Sequence, residues 1–181
     1  MGIKKILNIV VITIVATALV GCVNLKYSTE DTTSKKISSS EEIKQRTVSK
    51  EGVTFSIPSS WQEVIYKNYD GYFLDAKGTN MSLETKKLDG ISSTEYINSI
   101  VLELKEISSV TDIKTSTKTI DGLQGDIIEY KQNSEGHIVC DYQVVLCNNN
   151  TAYIFTLTEN KSISDDHLLQ FENLLDTIHF E

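Results

Sequence analysis

The sequence contains three cysteines and three histidines, the residue types most often found as reactive nucleophiles and zinc ligands. They are Cys22, Cys140, Cys147, His137, His167 and His179. Zinc sites usually draw on close pairs such as Cys-x-x-Cys or His-x-x-x-His, and neither spacing occurs here. The sequence also lacks a Gly-x-Ser-x-Gly turn, a phosphate-binding Gly-rich loop and a dinucleotide fingerprint. We therefore predict a protein that is not an enzyme, with no catalytic residues, metal site or cofactor.

Two of the cysteines stand seven residues apart on one predicted strand. Cys140 and Cys147 should then point to opposite faces, about 23 Å apart along that strand. Because a disulfide needs Cα atoms within about 7 Å, we expect no bridge between them. Cys140 is predicted to be a small core residue and Cys147 a free thiol at the strand end.

The same strand carries a tentative binding surface. Alternation assigns Ile138, Cys140, Tyr142, Val144 and Leu146 to a core face, and leaves a face of mixed polarity on the other side. His137, Asp141 and Gln143 belong to this second face. Such a face suits an envelope protein, peptide or glycan, since binding sites combine apolar area with a few orienting polar groups. The alternative is that these side chains merely face water.

A catalytic role for this strand is a weaker hypothesis. His137 and Asp141 would be the pair to test in an envelope-acting hydrolase. They stand about 13 Å apart along the strand, so groups from neighbouring strands would have to assist them. A purely structural envelope component is a third possibility.

Other polar and aromatic residues have simpler interpretations. His167 lies beside Asp165 and Asp166 in the first turn of a predicted helix, where we expect it to be solvated or ion-paired. The acidic residues there lack the spacing of a calcium-binding loop. Trp61 follows Pro58 at the end of a predicted strand, and we expect it to fill the core.

The N-terminus has the pattern of an export signal. Two lysines precede an apolar run from Ile6 to Val20. The sequence Leu19-Val20-Gly21-Cys22 that follows resembles the bacterial lipobox. That resemblance implies signal-peptidase recognition of Leu19, Val20 and Gly21, cleavage before Cys22, and a diacylglyceryl group on the Cys22 thiol. The expected location is the extracytoplasmic side of the cell membrane, with the membrane itself as a partner through this lipid. Because two or three acyl chains anchor a protein stably, the attachment would be lasting.

Composition changes after the signal. Residues 22–50 follow the predicted cleavage site, and the stretch 23–50 is rich in Ser, Thr and charge without apolar periodicity, so we predict a flexible tether. Residues 51–181 hold 9 basic and 21 acidic residues, a net charge of −12. Nucleic-acid binding depends on cationic groups that neutralise phosphates, so nucleic acid is excluded as a partner.

Alternation and turn residues predict the elements of the folded part. Strands are expected at 53–57, 64–66, 72–74, 80–88, 113–120, 123–130, 138–146 and 152–158, with a hairpin turn at Asp70-Gly71. Helices are expected from Ser92, with a capping box to Glu95, and from Ser164 through Ile178. The class is α+β: a single antiparallel sheet of about six to seven strands with two packed helices.

This element order resembles that of PsbP-like domains. The resemblance rests on Ile57-Pro58-x-x-Trp61, the middle helix, the hairpin series, the strand at 151–158 and the closing segment 176–180. It implies a PsbP-like α/β sandwich over residues 51–181, after a signal peptide at 1–21 and a lipidated tether at 22–50. It supplies no catalytic motif. We expect a membrane-tethered, non-catalytic binding or assembly module.

Overall fold

A computed structural model describes residues 43–181, which form one compact unit. The predicted signal peptide, the lipobox Leu19–Cys22 and residues 23–42 of the predicted tether lie outside the described residues. The strands are β1 (Gln45–Lys50), β2 (Val53–Pro58), β3 (Gln62–Glu63), β4 (Gly71–Leu74), β5 (Asn80–Lys87), β6 (Val110–Ile120), β7 (Leu123–Ser134), β8 (His137–Asn148), β9 (Thr151–Asn160) and β10 (His179–Phe180). The helices are α1 (Ser93–Glu106) and α2 (Asp165–Leu175).

Seven strands form the main sheet in the order β3-β4-β5-β9-β8-β7-β6, and every neighbouring pair is antiparallel. Two-residue turns join β6 to β7, β7 to β8 and β8 to β9. Both central residues of each turn have positive φ, as at Asp121-Gly122 and Asn149-Asn150. This geometry matches the twist of the flanking strands. The predicted α+β class and an antiparallel sheet of seven strands are confirmed, but the sheet is not single, because the predicted strand at 53–57 belongs to a second sheet.

A second, smaller sheet and α2 cover one face of the main sheet. β2 is the middle strand of this sheet, between β1 and β10. The core between these layers holds apolar side chains from β2, β5, β8, β9 and α2, with Phe55, Leu83, Val144, Phe155 and Phe171 among them. Phe55 packs edge-to-face on Phe155, with ring centroids 5.4 Å apart. We call this face of the main sheet the core face.

α1 covers part of the opposite face. Its cap is the predicted one, since the Ser92 hydroxyl accepts from the Glu95 backbone N–H while the Glu95 carboxylate accepts from the Ser92 backbone. The helix buries Tyr96, Ile97, Ile100 and Leu104 and packs beside β6. Its first turn lies next to side chains of β7 and β8 on this face, including Asp126 and Cys147.

Four predictions about local structure were wrong. Residues 45–50, assigned to the tether, form β1 because Val48 becomes buried against Phe55 across the β1–β2 pair. The segment 64–66 is not a strand, and Asp70-Gly71 is not the hairpin turn: β3 pairs with β4 through Gln62 and Glu63, and residues 64–70 form a loop. Ile138, placed on the core face, is 45% exposed at the end of β8.

Other predictions about packing are confirmed. Trp61 is 2% exposed, and its indole N–H donates to Gln170 Oε1 at 2.9 Å. Cys140 and Cys147 are free thiols whose alternation along β8 assigns them to opposite faces. Within residues 43–181, neither helix is long and apolar enough to cross a membrane.

Candidate functional site

A row of polar side chains stays partly open on the face that α1 covers. Asp141 and Gln143 of β8 stand opposite Thr158 and Thr156 of β9, and all four are half-buried. We call these four residues the polar strip. In the sheet, β8 and β9 lie between β6–β7, beside which α1 packs, and β4–β5. Two of the three predicted surface residues, Asp141 and Gln143, therefore lie on one continuous patch.

The third predicted residue stands apart from this patch. His137 is exposed at the first position of β8, next to the turn after β7. It pairs with Ser134 across that hairpin, four residues from Asp141 along the strand. The structure therefore does not bring His137 and Asp141 together as an acid–base pair, and Asp141 instead accepts a hydrogen bond from the Thr158 hydroxyl.

Asp141 carries the one carboxyl group of the strip. The Thr158 hydroxyl donates to Asp141 Oδ1 at 2.6 Å, and the buried Tyr130 stands opposite Asp141 across the β7–β8 pair. Burial raises the pKa of Asp141 to about 6, although the neighbouring hydroxyl groups of Thr158 and Tyr130 act to lower it. Within residues 43–181, no Lys, Arg or His forms an ion pair with Asp141.

The loop between β3 and β4 borders the strip on the other side. We call residues 64–70 the tyrosine loop. The rings of Tyr66, Tyr69 and Tyr72 form a cluster with centroids 5.1–5.8 Å apart, and Tyr66 stacks on Tyr72. The pKa of the Tyr69 phenol is raised first by burial and then by the nearby charges of Glu84 and Asp141.

Several hydrogen bonds hold the tyrosine loop in place. The Val64 N–H donates to the Tyr72 carbonyl at 2.8 Å, and the Asp70 N–H donates to the Leu83 carbonyl at 2.9 Å. The Asp70 carboxylate accepts from both the backbone N–H and the hydroxyl of Thr85, at 2.7 and 2.9 Å. The loop is thus fixed to β4 and β5 at both ends before any partner arrives.

The tyrosine loop nevertheless exposes much of its apolar surface. Of the eight large hydrophobic side chains that are exposed in residues 43–181, four fall within positions 64–69: Val64, Ile65, Tyr66 and Tyr69. Ile65 is fully exposed at 101%. Exposed apolar residues that cluster in this way are common at interaction surfaces of proteins. Sequence reasoning missed it because the run Val64-Ile65-Tyr66 has the composition of a buried strand.

A second polar cluster lies at the start of α2. His167 is 6% exposed, with Nε2 3.1 Å from Asp75 Oδ2 and Nδ1 3.0 Å from Glu159 Oε2. Burial acts to raise the pKa of Glu159, but the Ser164 N–H and His167 hold it below its ordinary value. These contacts join the β4–β5 turn, the end of β9 and α2. His167 is therefore buried between two carboxylates and not solvated, and its contacts give the cluster a structural role.

The remaining cysteine environments offer little chemistry. Cys147 lines a cavity of about 430 Å³ beside the first turn of α1, together with Asp126. Burial raises the pKa of the Cys147 thiol, and that of Cys140, so the reactive thiolate is disfavoured at both positions. Among residues 43–181, no three His, Cys, Asp or Glu side chains are grouped so that they could hold a metal ion.

The fold defines a class of layered α+β proteins in which a large antiparallel sheet has a helix on each face. Solved structures share it. Cyanobacterial PsbP (CyanoP) of Synechocystis superposes with a TM-score of 0.57 at 16% identity, over 81% of this chain and 98% of that one. The Ran-binding protein Mog1p of Saccharomyces cerevisiae gives 0.54 at 9% identity, over 77% and 96%. LpqN, described as involved in cell envelope biogenesis of Mycobacterium tuberculosis, gives 0.50 at 15% identity, over 75% and 90%.

Sequence comparison is more specific. The profile of the PsbP-like protein family matches residues 3–175, so the chain belongs to that family. No curated protein sequence matches it. At these identities the structural neighbours establish the fold alone, and the predicted PsbP-like resemblance is confirmed.

Proposed function

We propose that this protein is a non-catalytic docking module. A lipid on Cys22 holds it at the outer face of the cell membrane, and the tyrosine loop with the polar strip binds an envelope protein. The observation that carries the proposal is the rigid presentation of Val64, Ile65, Tyr66 and Tyr69 on the surface. Tyrosine is among the residues that contribute most to protein interfaces, and a preformed loop loses little conformational entropy on binding.

Three further features support this function. The polar strip supplies hydrogen-bonding groups beside the apolar loop, which is the mixture that protein interfaces combine. Structural neighbours include a Ran-binding protein and a protein involved in cell envelope biogenesis, so this fold serves protein binding and envelope roles elsewhere. The lipobox-like sequence Leu19–Cys22 favours attachment to a membrane.

The test is a crosslinking pull-down of the full chain from its own membranes. Ile65→Ser should reduce recovery of the specific partner about tenfold, because a central apolar side chain at an interface contributes roughly 1–2 kcal/mol or more. The matched control is Leu169→Ser, which removes another exposed aliphatic side chain (59% exposed) from α2 on the other side of the sheet. Both variants should keep the wild-type thermal midpoint.

Two results would contradict the proposal. Equal recovery with Ile65→Ser and Leu169→Ser would show that the tyrosine loop is not the docking surface. Turnover of an envelope substrate that disappears with His137→Ala or Asp141→Asn, in a protein that is still folded, would favour the hydrolase alternative.

A further inference from the structure

Asp141 is a half-buried carboxylate with an incomplete set of partners. An ionised carboxylate offers about four acceptor sites on its two oxygens. Here the Thr158 hydroxyl donates to it, Tyr130 stands opposite it across the β7–β8 pair, and no basic side chain within residues 43–181 pairs with its charge. A buried charge that only neutral donors contact is poorly compensated for the hydration it has lost. The environment of Asp141 therefore favours the binding of a cationic group.

The surroundings of Asp141 suit one kind of cation. Glu84 pairs with Lys86 at 2.6 Å, and the Asp70 carboxylate accepts two hydrogen bonds from Thr85, whereas Asp141 has one hydroxyl donor and no basic partner within residues 43–181. The Tyr69 phenol lies close enough to Asp141 for that charge to raise its pKa, and aromatic side chains attract ammonium and guanidinium groups. The amide of Gln143 donates to Thr156 at 3.3 Å, so its carbonyl oxygen stays available as a further acceptor.

The charge of the whole domain acts in the same direction. Residues 43–181 carry 12 basic and 21 acidic residues, a net charge of −9. A field of this sign attracts cationic groups and repels anionic ones. An anionic lipid surface or a phosphate group is therefore a poor occupant of the strip, and a basic segment of a protein is a good one.

We propose that the polar strip is a binding site for a lysine or arginine side chain, with Asp141 as its counter-ion and Tyr69 as one wall. This inference rests on the proposed function, in which that side chain belongs to the docked protein. The ammonium or guanidinium would donate to the Asp141 carboxylate and to the Gln143 carbonyl oxygen. The aliphatic stem would lie along the tyrosine loop.

The test uses a defined peptide and needs no cellular partner. The full chain, labelled with ¹³C in non-ionic detergent, is titrated with hexalysine and with hexaglutamine while the resonances of Asp141, Thr158 and Tyr69 are followed. Hexalysine should shift all three in a saturable way, and hexaglutamine should not. Asp141→Asn should weaken hexalysine binding about tenfold, because charge-assisted hydrogen bonds are roughly twice as strong as neutral ones.

The control separates a specific site from general attraction to an acidic protein. Asp166→Asn removes the same charge from an exposed position on α2, and it should leave the hexalysine affinity within twofold of wild type. Equal affinities for Asp141→Asn and Asp166→Asn, or shifts that avoid the strip, would overturn the inference and leave the docking function standing. If hexalysine binds specifically at the strip but Ile65→Ser leaves partner recovery in the pull-down unchanged, the docking function is overturned instead.

Discussion

Replacing Asp141 with Asn removes a carboxylate charge that is destabilised by partial burial in the folded protein. Burial raises the pKa of this carboxyl group from 3.8 to about 6. The folded protein therefore keeps the proton up to a higher pH than the unfolded chain does, so the wild type loses stability as the pH rises from about 4 to about 6. Two pKa units correspond to about 2–3 kcal/mol, which is an upper estimate because Asp141 is only half-buried.

Asn cannot ionise, so the variant escapes this loss. Its stability relative to wild type should improve by up to about 2–3 kcal/mol between pH 3.5 and pH 7.5. For a domain of this size the change corresponds to roughly 5–10 °C in thermal midpoint. Any constant offset from the amide's own hydrogen bonds cancels in the difference between the two pH values.

The assay is thermal unfolding, followed by circular dichroism at half-unit steps of pH. Glu135→Gln is the matched control, because it removes a carboxylate from the exposed turn between β7 and β8 and should follow the wild-type curve at a constant distance. Parallel curves for Asp141→Asn and wild type would refute the reasoning. They would mean that the Asp141 carboxyl group is solvated in the folded protein, and the argument for an uncompensated charge at the strip would fail with it.

Further predictions concern the framework and the anchor. His167→Leu should leave the half-buried carboxylates of Asp75 and Glu159 without the ring nitrogens that contact them and lower the free energy of unfolding by about 1–3 kcal/mol in urea titrations, whereas an unchanged free energy would contradict a structural role. Ser92→Ala removes half of the capping box and should cost about 1 kcal/mol, which thermal unfolding would detect; an unchanged midpoint would argue against the cap. Mass spectrometry of membrane-extracted protein should find a chain that starts at Cys22 with a lipid adduct, and an intact, unmodified N-terminus would contradict the lipobox assignment.

Elements that are specified by residues close together in the sequence could be predicted. The turns at Asp121-Gly122, Glu135-Gly136 and Asn149-Asn150 contain residues that tolerate positive φ, and each connects two strands with alternating patterns. The caps of both helices follow from Ser at the N-cap position, with Ser164 accepting from the His167 N–H. Because these signals lie within a few residues of one another, no knowledge of the tertiary structure was required.

Elements that depend on distant partners could not be predicted. The residues of β1 have the composition of a polar tether. They form a strand because they pair with β2. The tyrosine loop has strand-like residues, but Asp70 bonds to Thr85, fifteen positions away, and draws the chain into a loop. His167 contacts Asp75, which lies 92 residues earlier in the sequence. In each case the deciding contact joins residues that alternation and turn chemistry treat as unrelated.

The chemistry of the polar strip conflicts with its position in the fold. It lies on a sheet face whose neighbouring positions, such as Val145 and Ile154, are buried and apolar. Apolar side chains at Asp141 and Thr158 would extend that buried surface, and each buried methyl-sized group contributes about 1 kcal/mol. Instead this part of the sheet holds a carboxylate that burial destabilises, next to a loop that exposes four large hydrophobic side chains. Two such departures from the most stable arrangement, side by side on one face, are expected where a surface serves binding and not folding.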